Sequence, residues 1–299
     1  MTDNDAYELV HLANGAWSMR SREDDETFHP GIGPVAEAES LYVRQLRLID
    51  RLNQAQEEFV IWDVGLGGGA NALTAIRLLG QNANPGKTLR ICSFDRTLMA
   101  LEFALAHANE LQYPLGFEDA ISTFCRLGTV EIQVMNLKVR WEWLQGDFPS
   151  FLASHRSKSQ ATSGVPAPHA IFFDPHSPRK NPAMWTVDNF EALHACISPQ
   201  RACSLANFTR STLGRTAMLL GGFFVGVGSA TGEKEETTLA ASVPGLAGQL
   251  LDARWLNRAM RSDSAEPLRS ALYTRKPLSA ATLAALRAHP QFSGTDQKY

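Results

Sequence analysis

The 299-residue chain has no run of about 18 apolar residues, so nothing in it reads as a membrane span. Its opening residues, MTDNDAYELV, are acidic and carry neither the basic nor the apolar region of a secretion signal. Cysteine is scarce: Cys92, Cys125, Cys196 and Cys203 stand apart, among apolar neighbours and without C-x-x-C spacing. That argues against a cysteine metal site or a disulfide framework, and reads as reduced thiols of a cytoplasmic protein that needs no metal. Surplus charge is small too. A formal −3 excludes gross attraction to nucleic acid while leaving room for a local basic face. No internal repeat is visible. What is present is 44% apolar content, enough at this length to bury one large core with additions.

The densest signal is Ile61-Trp62-Asp63-Val64-Gly65-Leu66-Gly67-Gly68-Gly69-Ala70-Asn71. The apolar run Phe59 to Val64 reads as a buried parallel strand and Ala70 to Leu79 as the helix after it. Glycines at such a junction let the backbone turn tightly and approach a ligand, and the helix start offers free N–H groups to it. Gly65, Gly67 and Ala70 satisfy the dinucleotide pattern G-x-G-x-x-G/A. With Asp63 the same residues spell D-x-G-x-G-x-G, which looks like motif I of class I S-adenosylmethionine methyltransferases. In that family the acid helps hold the methionine end and the glycines make room for it. Both cofactors remain open here, with Asp63 favouring S-adenosylmethionine.

Three further acids close strands. Leu89 to Asp95 reads as strand two, and a carboxylate at its end is where such folds bond a ribose hydroxyl pair; the plainer reading is a cap for the helix Leu98 to Leu111. Gln145-Gly146-Asp147-Phe148 is placed to meet an adenine, though Gly-Asp is also ordinary turn chemistry. His169 to Phe173 delivers Asp174 to a strand end, where open α/β sheets place ligands. Pro175, Pro178 and Pro182 stiffen the segment after it. Such an acid-proline segment resembles the D-P-P-Y element of amino-group methyltransferases, which implies that Asp174 holds a substrate amine and accepts its proton.

Strands and helices alternate from Phe59 to Ala240, which predicts a doubly wound sheet. Residues 1–52 read as a polar, irregular arm followed by the helix Glu37 to Leu52, residues 53–240 as the cofactor-binding domain, and residues 241–299 as a helical extension. Further helices are expected at Glu118 to Arg126, Met184 to Ile197 and Ser211 to Leu220. Strands are expected at Val139 to Leu144, Ala202 to Phe208, Gly222 to Val227 and Glu235 to Ala240. His155 to Pro168 reads as a surface loop.

Phe173-Asp174-Pro175-His176-Ser177-Pro178-Arg179-Lys180-Asn181-Pro182-Ala183-Met184-Trp185 resembles the F-L-D-G-F-x-P-x-K-N-P-D-M-W block of MnmC-type tRNA methyltransferases. Thr209-Arg210-Ser211, Gly222-Phe223, Glu26-Thr27-Phe28-His29 and Glu37-Ala38-Glu39 add to the likeness, which runs from about residue 15 to 275. It implies a Rossmann-like class I methyltransferase fold, largely parallel with an antiparallel last strand. It further implies transfer of a methyl group to the aminomethyl group of a modified wobble uridine in tRNA. Asp63, Gly65, Gly67, Gly69, Asn71, Asp95 and Asp147 would then bind S-adenosyl-L-methionine. Asp174 would be the catalytic residue, and Pro175, Lys180, Asn181, Trp185 and His29 would meet the substrate. A separate FAD-dependent oxidase would act upstream, since no second dinucleotide-binding segment follows residue 240. Position 175 departs from the block, with proline for glycine. So does Gly232-Glu233-Lys234-Glu235-Glu236, acidic where the family is basic. Basic residues cluster instead at Arg254, Arg258 and Arg261, and at Arg179, Lys180, Arg210 and Arg215, which together suggest a phosphate stripe. A small-molecule amine methyltransferase, an NAD-dependent oxidoreductase and a silent cofactor-binding module are the alternatives.

Overall fold

The acidic N-terminal stretch folds into an antiparallel sheet rather than an irregular arm. In the computed structural model, which describes residues 6–156, 164–230 and 235–293, strands β1 (Tyr7–His11), β2 (Trp17–Ser21) and β3 (Glu26–Thr27) pair in register Tyr7↔Ser21 and Arg20↔Thr27. Local pairing engages the acids of the stretch that reads as an irregular arm. Asp25 is bonded by Arg20, Asp24 accepts from Ser21 Oγ at 2.9 Å, and Arg22 reaches Glu8 at 3.2 Å. Met19 is buried beneath this sheet, and the Tyr7 ring lies 6.2 Å from Phe28 and 5.8 Å from Phe103.

The described residues cluster into two units, Met1–Phe148 with Pro168–Asp174 and Ala230–Glu235, and Pro149–Ala167 with Pro175–Ser229 and Glu236–Tyr299. In the first, the helix expected over Glu37 to Leu52 is broken. A short α1 (Pro34–Ala38) runs into a π-helical segment Glu39–Arg44, the left-handed Arg47 (φ 52°) interrupts the path, and α2 (Leu48–Gln54) resumes it. Strand β4 (Phe59–Val64) is buried along its whole length, as a central parallel strand must be. Helix α3 (Ala70–Asn82), β5 (Thr88–Asp95), α4 (Met99–Ala106), α5 (Ala108–Leu111), α6 (Glu118–Leu127), β6 (Thr129–Val134), β7 (Leu137–Gln145) and β8 (Ala170–Phe173) complete the unit. The strand order is β8-β4-β5-β7-β6, parallel except for β6, which pairs antiparallel at the edge. Trp62, Phe94 and Phe148 pack as a chain of rings, and Phe124 stacks on Trp141 at 4.0 Å.

The second unit holds most of α7 (Phe148–Arg156), then α8 (Val187–Ala195), β9 (Ser204–Asn207), α9 (Thr212–Leu220), β10 (Phe224–Gly228), β11 (Thr237–Ala241), β12 (Gln249–Leu250), α10 (Ala253–Ala259) and α11 (Ala280–Ala288). Its strands run β12-β10-β11-β9, with β11 inserted antiparallel to both β10 and β9. The expected antiparallel final strand is therefore in place. Helix α7 takes in His155, the first residue of the expected loop; residues 157–163 of that loop lie outside the described residues.

Candidate active site

Parallel pairing in register is what assembles the site. Val64 is level with Phe94 on one side and Phe173 on the other, and Asp95 is level with Gln145. The residues at or just after each strand end, Gly65, Asp95, Asp147 and Asp174, therefore share one edge of the sheet of unit one. Gly65 and Gly67 hold φ of 91° and 50°, a conformation that side chains with a Cβ resist. The loop is pinned by backbone contacts: Gly65 N donates to Phe94 O at 3.0 Å, and Gly67 N to Asp95 Oδ2 at 3.0 Å. Gly69 caps α3 with no side chain, so no side chain satisfies the first-turn N–H groups. A Cβ on Gly68 would lie 2.6 Å from Tyr113 Oη and 2.7 Å from Met19 Sδ; one on Gly69 would lie 2.8 Å from Leu101. These two glycines answer to packing, whereas Gly67 meets only the rim of the Phe28 ring, at 3.2 Å.

Asp95 is half-buried and also accepts from Arg96 N at 2.7 Å. Asp147, likewise half-buried, is paired with Arg96 Nη2 at 2.7 Å. Asp63 differs from the expectation of direct access to a ligand, because it is wholly buried. Its Oδ2 accepts from Ser93 Oγ at 2.7 Å, and Ser93 Oγ in turn accepts from Trp141 Nε1 at 2.9 Å. Burial raises its pKa from 3.8 to about 7, against the lowering effect of the Ser93 bond. Its Oδ1 has no partner, nor has Oδ1 of Asn71. Two enclosed, uncommitted acceptors beside the glycine loop suit a cationic N–H donor such as an ammonium, so these residues fit a ligand carrying one.

Asp174 follows β8 with its N–H on Val64 O at 2.9 Å and its Oδ2 accepting from Asn71 Nδ2 at 2.7 Å. Its pKa is raised, by burial first and by Glu37 next; His29, the bond from Asn71 and the neighbouring Tyr42 hydroxyl work the other way. His29 takes the left-handed conformation (φ 48°) and sets Nδ1 3.6 Å from Glu37 Oε1, with both side chains nearly enclosed. A non-glycine residue held there stores strain, a frequent companion of functional sites. Glu37, quoted in the sequence only for its likeness to the family, and Tyr42 were not expected at the site. A buried glutamate inside a short helix leaves no periodic signature, and the π-helical turn that carries Tyr42 has none either.

Residues 156–243 match the family described as S-adenosyl-L-methionine-dependent methyltransferase. Two curated relatives carry the name tRNA 5-methylaminomethyl-2-thiouridine biosynthesis bifunctional protein MnmC. That of Stutzerimonas stutzeri is 25% identical over 88% of this chain and 39% of its own length, and that of Vibrio cholerae 25% identical over 77% and 35%. The chain thus spans little more than a third of the relatives it matches. The crystal structure of MNMC2 from Aquifex aeolicus superposes with a TM-score of 0.68 at 22% identity, covering 96% of this chain and 85% of that one. That likeness establishes the Rossmann-like methyltransferase fold. The chain is similar to MnmC-type proteins and to S-adenosyl-L-methionine-dependent methyltransferases.

The segment after Asp174 belongs to unit two. Pro175 is buried, Lys180 is exposed and Asn181 is half-buried, its N–H on Ser177 O at 2.9 Å. Trp185 is fully buried, donates Nε1–H to His176 O at 3.0 Å and meets Phe190 and Phe208 edge-on. It is enclosed as packing, as a tryptophan at the start of a helix most often is, and is not open to the substrate contact that the resemblance implies. Arg215 also departs from expectation. It lies 2% exposed, bonded to Glu236 at 2.9 Å, Thr238 Oγ1 at 3.0 Å and Thr237 O at 2.7 Å, so it cannot meet a phosphate. Glu236, half of the described part of the acidic segment, is thereby turned inward. Arg254, Arg258 and Arg261 lie along and just beyond α10, outside its buried residues Trp255, Leu256 and Ala259, and all three are exposed. Arg179 and Arg210 are exposed as well. No helix among the described residues is long and apolar enough to cross a membrane.

Proposed function

We propose that this chain methylates the amine of the aminomethyl group of a modified wobble uridine in tRNA. The observation that carries the reading is Asp174, fixed by Asn71 at the strand edge that also holds the glycine loop. Residues 53–240 would form the methyltransferase domain, residues 1–52 its N-terminal segment and residues 241–299 an extension. Gly65, Gly67, Gly69, Asn71, Asp95 and Asp147 would hold S-adenosyl-L-methionine, with Asp63 acting from behind the loop. The cofactor supplies a methyl group activated on a sulfonium. Asp174 would bind the substrate ammonium, take its proton at a carboxylate oxygen and leave the lone pair oriented; His29, Pro175, Lys180 and Asn181 would border the substrate. An amine needs little beyond being neutral, close and aligned, so orientation supplies most of the acceleration. The arginines of α10, with Arg179 and Arg210, would engage tRNA phosphates. The names of the relatives support this substrate.

The test is incubation with radiolabelled S-adenosyl-L-methionine and tRNA from cells that accumulate the unmethylated aminomethyl uridine. Label at that base in the nucleoside digest is expected. Label in a small amine with tRNA left blank overturns the substrate, and calorimetric binding of NADH without binding of S-adenosyl-L-methionine overturns the cofactor roles.

A further inference from the structure

Tyr42 lies within the π-helical segment Glu39–Arg44. Such segments are rare and cluster at functional positions. The extra residue in the turn matters, because one residue more or less rotates a side chain by roughly 100° about a helix axis. Here the turn buries Tyr42 completely, with its ring 4.8 Å from Phe172, two residues before Asp174. Its hydroxyl has no hydrogen-bond partner of normal length, a costly state for an enclosed donor. Burial first, then the charges of Asp174 and Glu37, the Asp174 carboxylate as a nearby acceptor, and last the charge of Asp63 raise its pKa well above the ordinary value. Asp174 already takes one bond from Asn71, and a carboxylate has sites for more.

We propose that Tyr42 is a positioning residue for Asp174, its hydroxyl closing onto the carboxylate as a second donor beside Asn71 once the site carries its cationic ligands. The two donors fix the carboxylate's rotamer and keep it ionised against the amine. The groups that set this balance come from every neighbouring element: Glu37 from α1, His29 from the turn after β3, Asp63 from β4, and Asn71 from α3. The assignment rests on the proposed function in giving Asp174 the amine.

Tyr42→Phe keeps the ring on Phe172 and removes only the donor. The Asp174 carboxyl is followed by carbon-13 NMR against pH, identified by its loss in Asp174→Asn, with the demethylated cofactor product bound. Its pKa is expected to rise by roughly one unit in Tyr42→Phe, the scale of one lost bond to a charged group. The acid limb of kcat is expected to move upward with it while KM for S-adenosyl-L-methionine stays put. If Tyr42→Phe folds poorly, 3-fluorotyrosine at position 42, a stronger donor, must move the titration the opposite way. Superposable titrations overturn the proposal. A wild-type protein that methylates no amine would instead sink the proposed function, and the carboxyl titration would still decide whether Tyr42 holds Asp174.

Discussion

Asp63 should make this protein's stability depend on pH in a direction opposite to that of a salt-bridged acid. Its pKa rises on folding from 3.8 to about 7 because the side chain is wholly enclosed. The folded chain therefore holds this proton longer than the unfolded chain. The stabilisation is complete below about pH 4 and is lost as pH rises to about 7. A shift of about three units corresponds to roughly 4 kcal/mol at 1.36 kcal/mol per unit, a ceiling once local relaxation is allowed. Asp63→Asn keeps an oxygen for Ser93 and removes the titration. The buried amide adds an offset that does not vary with pH, so the slope discriminates. Urea unfolding of both proteins from about pH 4 to about pH 8.5 should show the gap moving in favour of Asp63→Asn by up to about 4 kcal/mol across that range. Curves that run parallel would refute the argument, because Asp63 would then be ionised or hydrated in the folded state. Under the proposed cofactor role, wild-type affinity for S-adenosyl-L-methionine should also climb up to about pH 7 and level off there, a rise absent from Asp63→Asn.

Asp174→Ala should lower turnover by about two orders of magnitude or more while calorimetric affinity for S-adenosyl-L-methionine is retained, the scale of removing a positioning and base group. Charge reversal at Arg254 and Arg258 should weaken tRNA binding and reduce the slope of log affinity against log salt by about one for each phosphate no longer neutralised; filter binding at several salt concentrations measures both. Glu236→Gln leaves the Arg215 guanidinium buried without its counter-charge and should cost about 3 kcal/mol in urea unfolding.

The strands that build the site were legible because fully buried parallel strands are continuous apolar runs. Phe59–Val64 and Ala170–Phe173 both carry an acid at or just past their ends. The strand β6 was missed because it alternates exposed and half-buried residues at a sheet edge, with Glu131 and Gln133 breaking the apolar pattern. The N-terminal sheet was missed for a different reason. Its acids are neutralised by arginines and serines up to 14 residues away, pairings that composition cannot register. Asp95, Asp147 and Asp174 were found from their places at strand ends, and parallel register brings those places together. Arg215 misled because a buried arginine looks, in sequence, like any other cation near a rim.

Gly68 and Gly69 carry a consequence for how such chains change over time. Both stand inside the pattern used to recognise cofactor binding, yet Tyr113 and Met19 exclude a larger residue at position 68, and Leu101 together with a left-handed φ of 78° excludes one at position 69. A descendant that had lost all affinity for the cofactor would still be obliged to keep those glycines while its N-terminal sheet persisted. A glycine loop transplanted from an unrelated methyltransferase would likewise have to bring replacements for Met19 and Tyr113 with it. Position 67 is no freer, because its left-handed φ of 50° resists a side chain even where the soft edge of the Phe28 ring would give way.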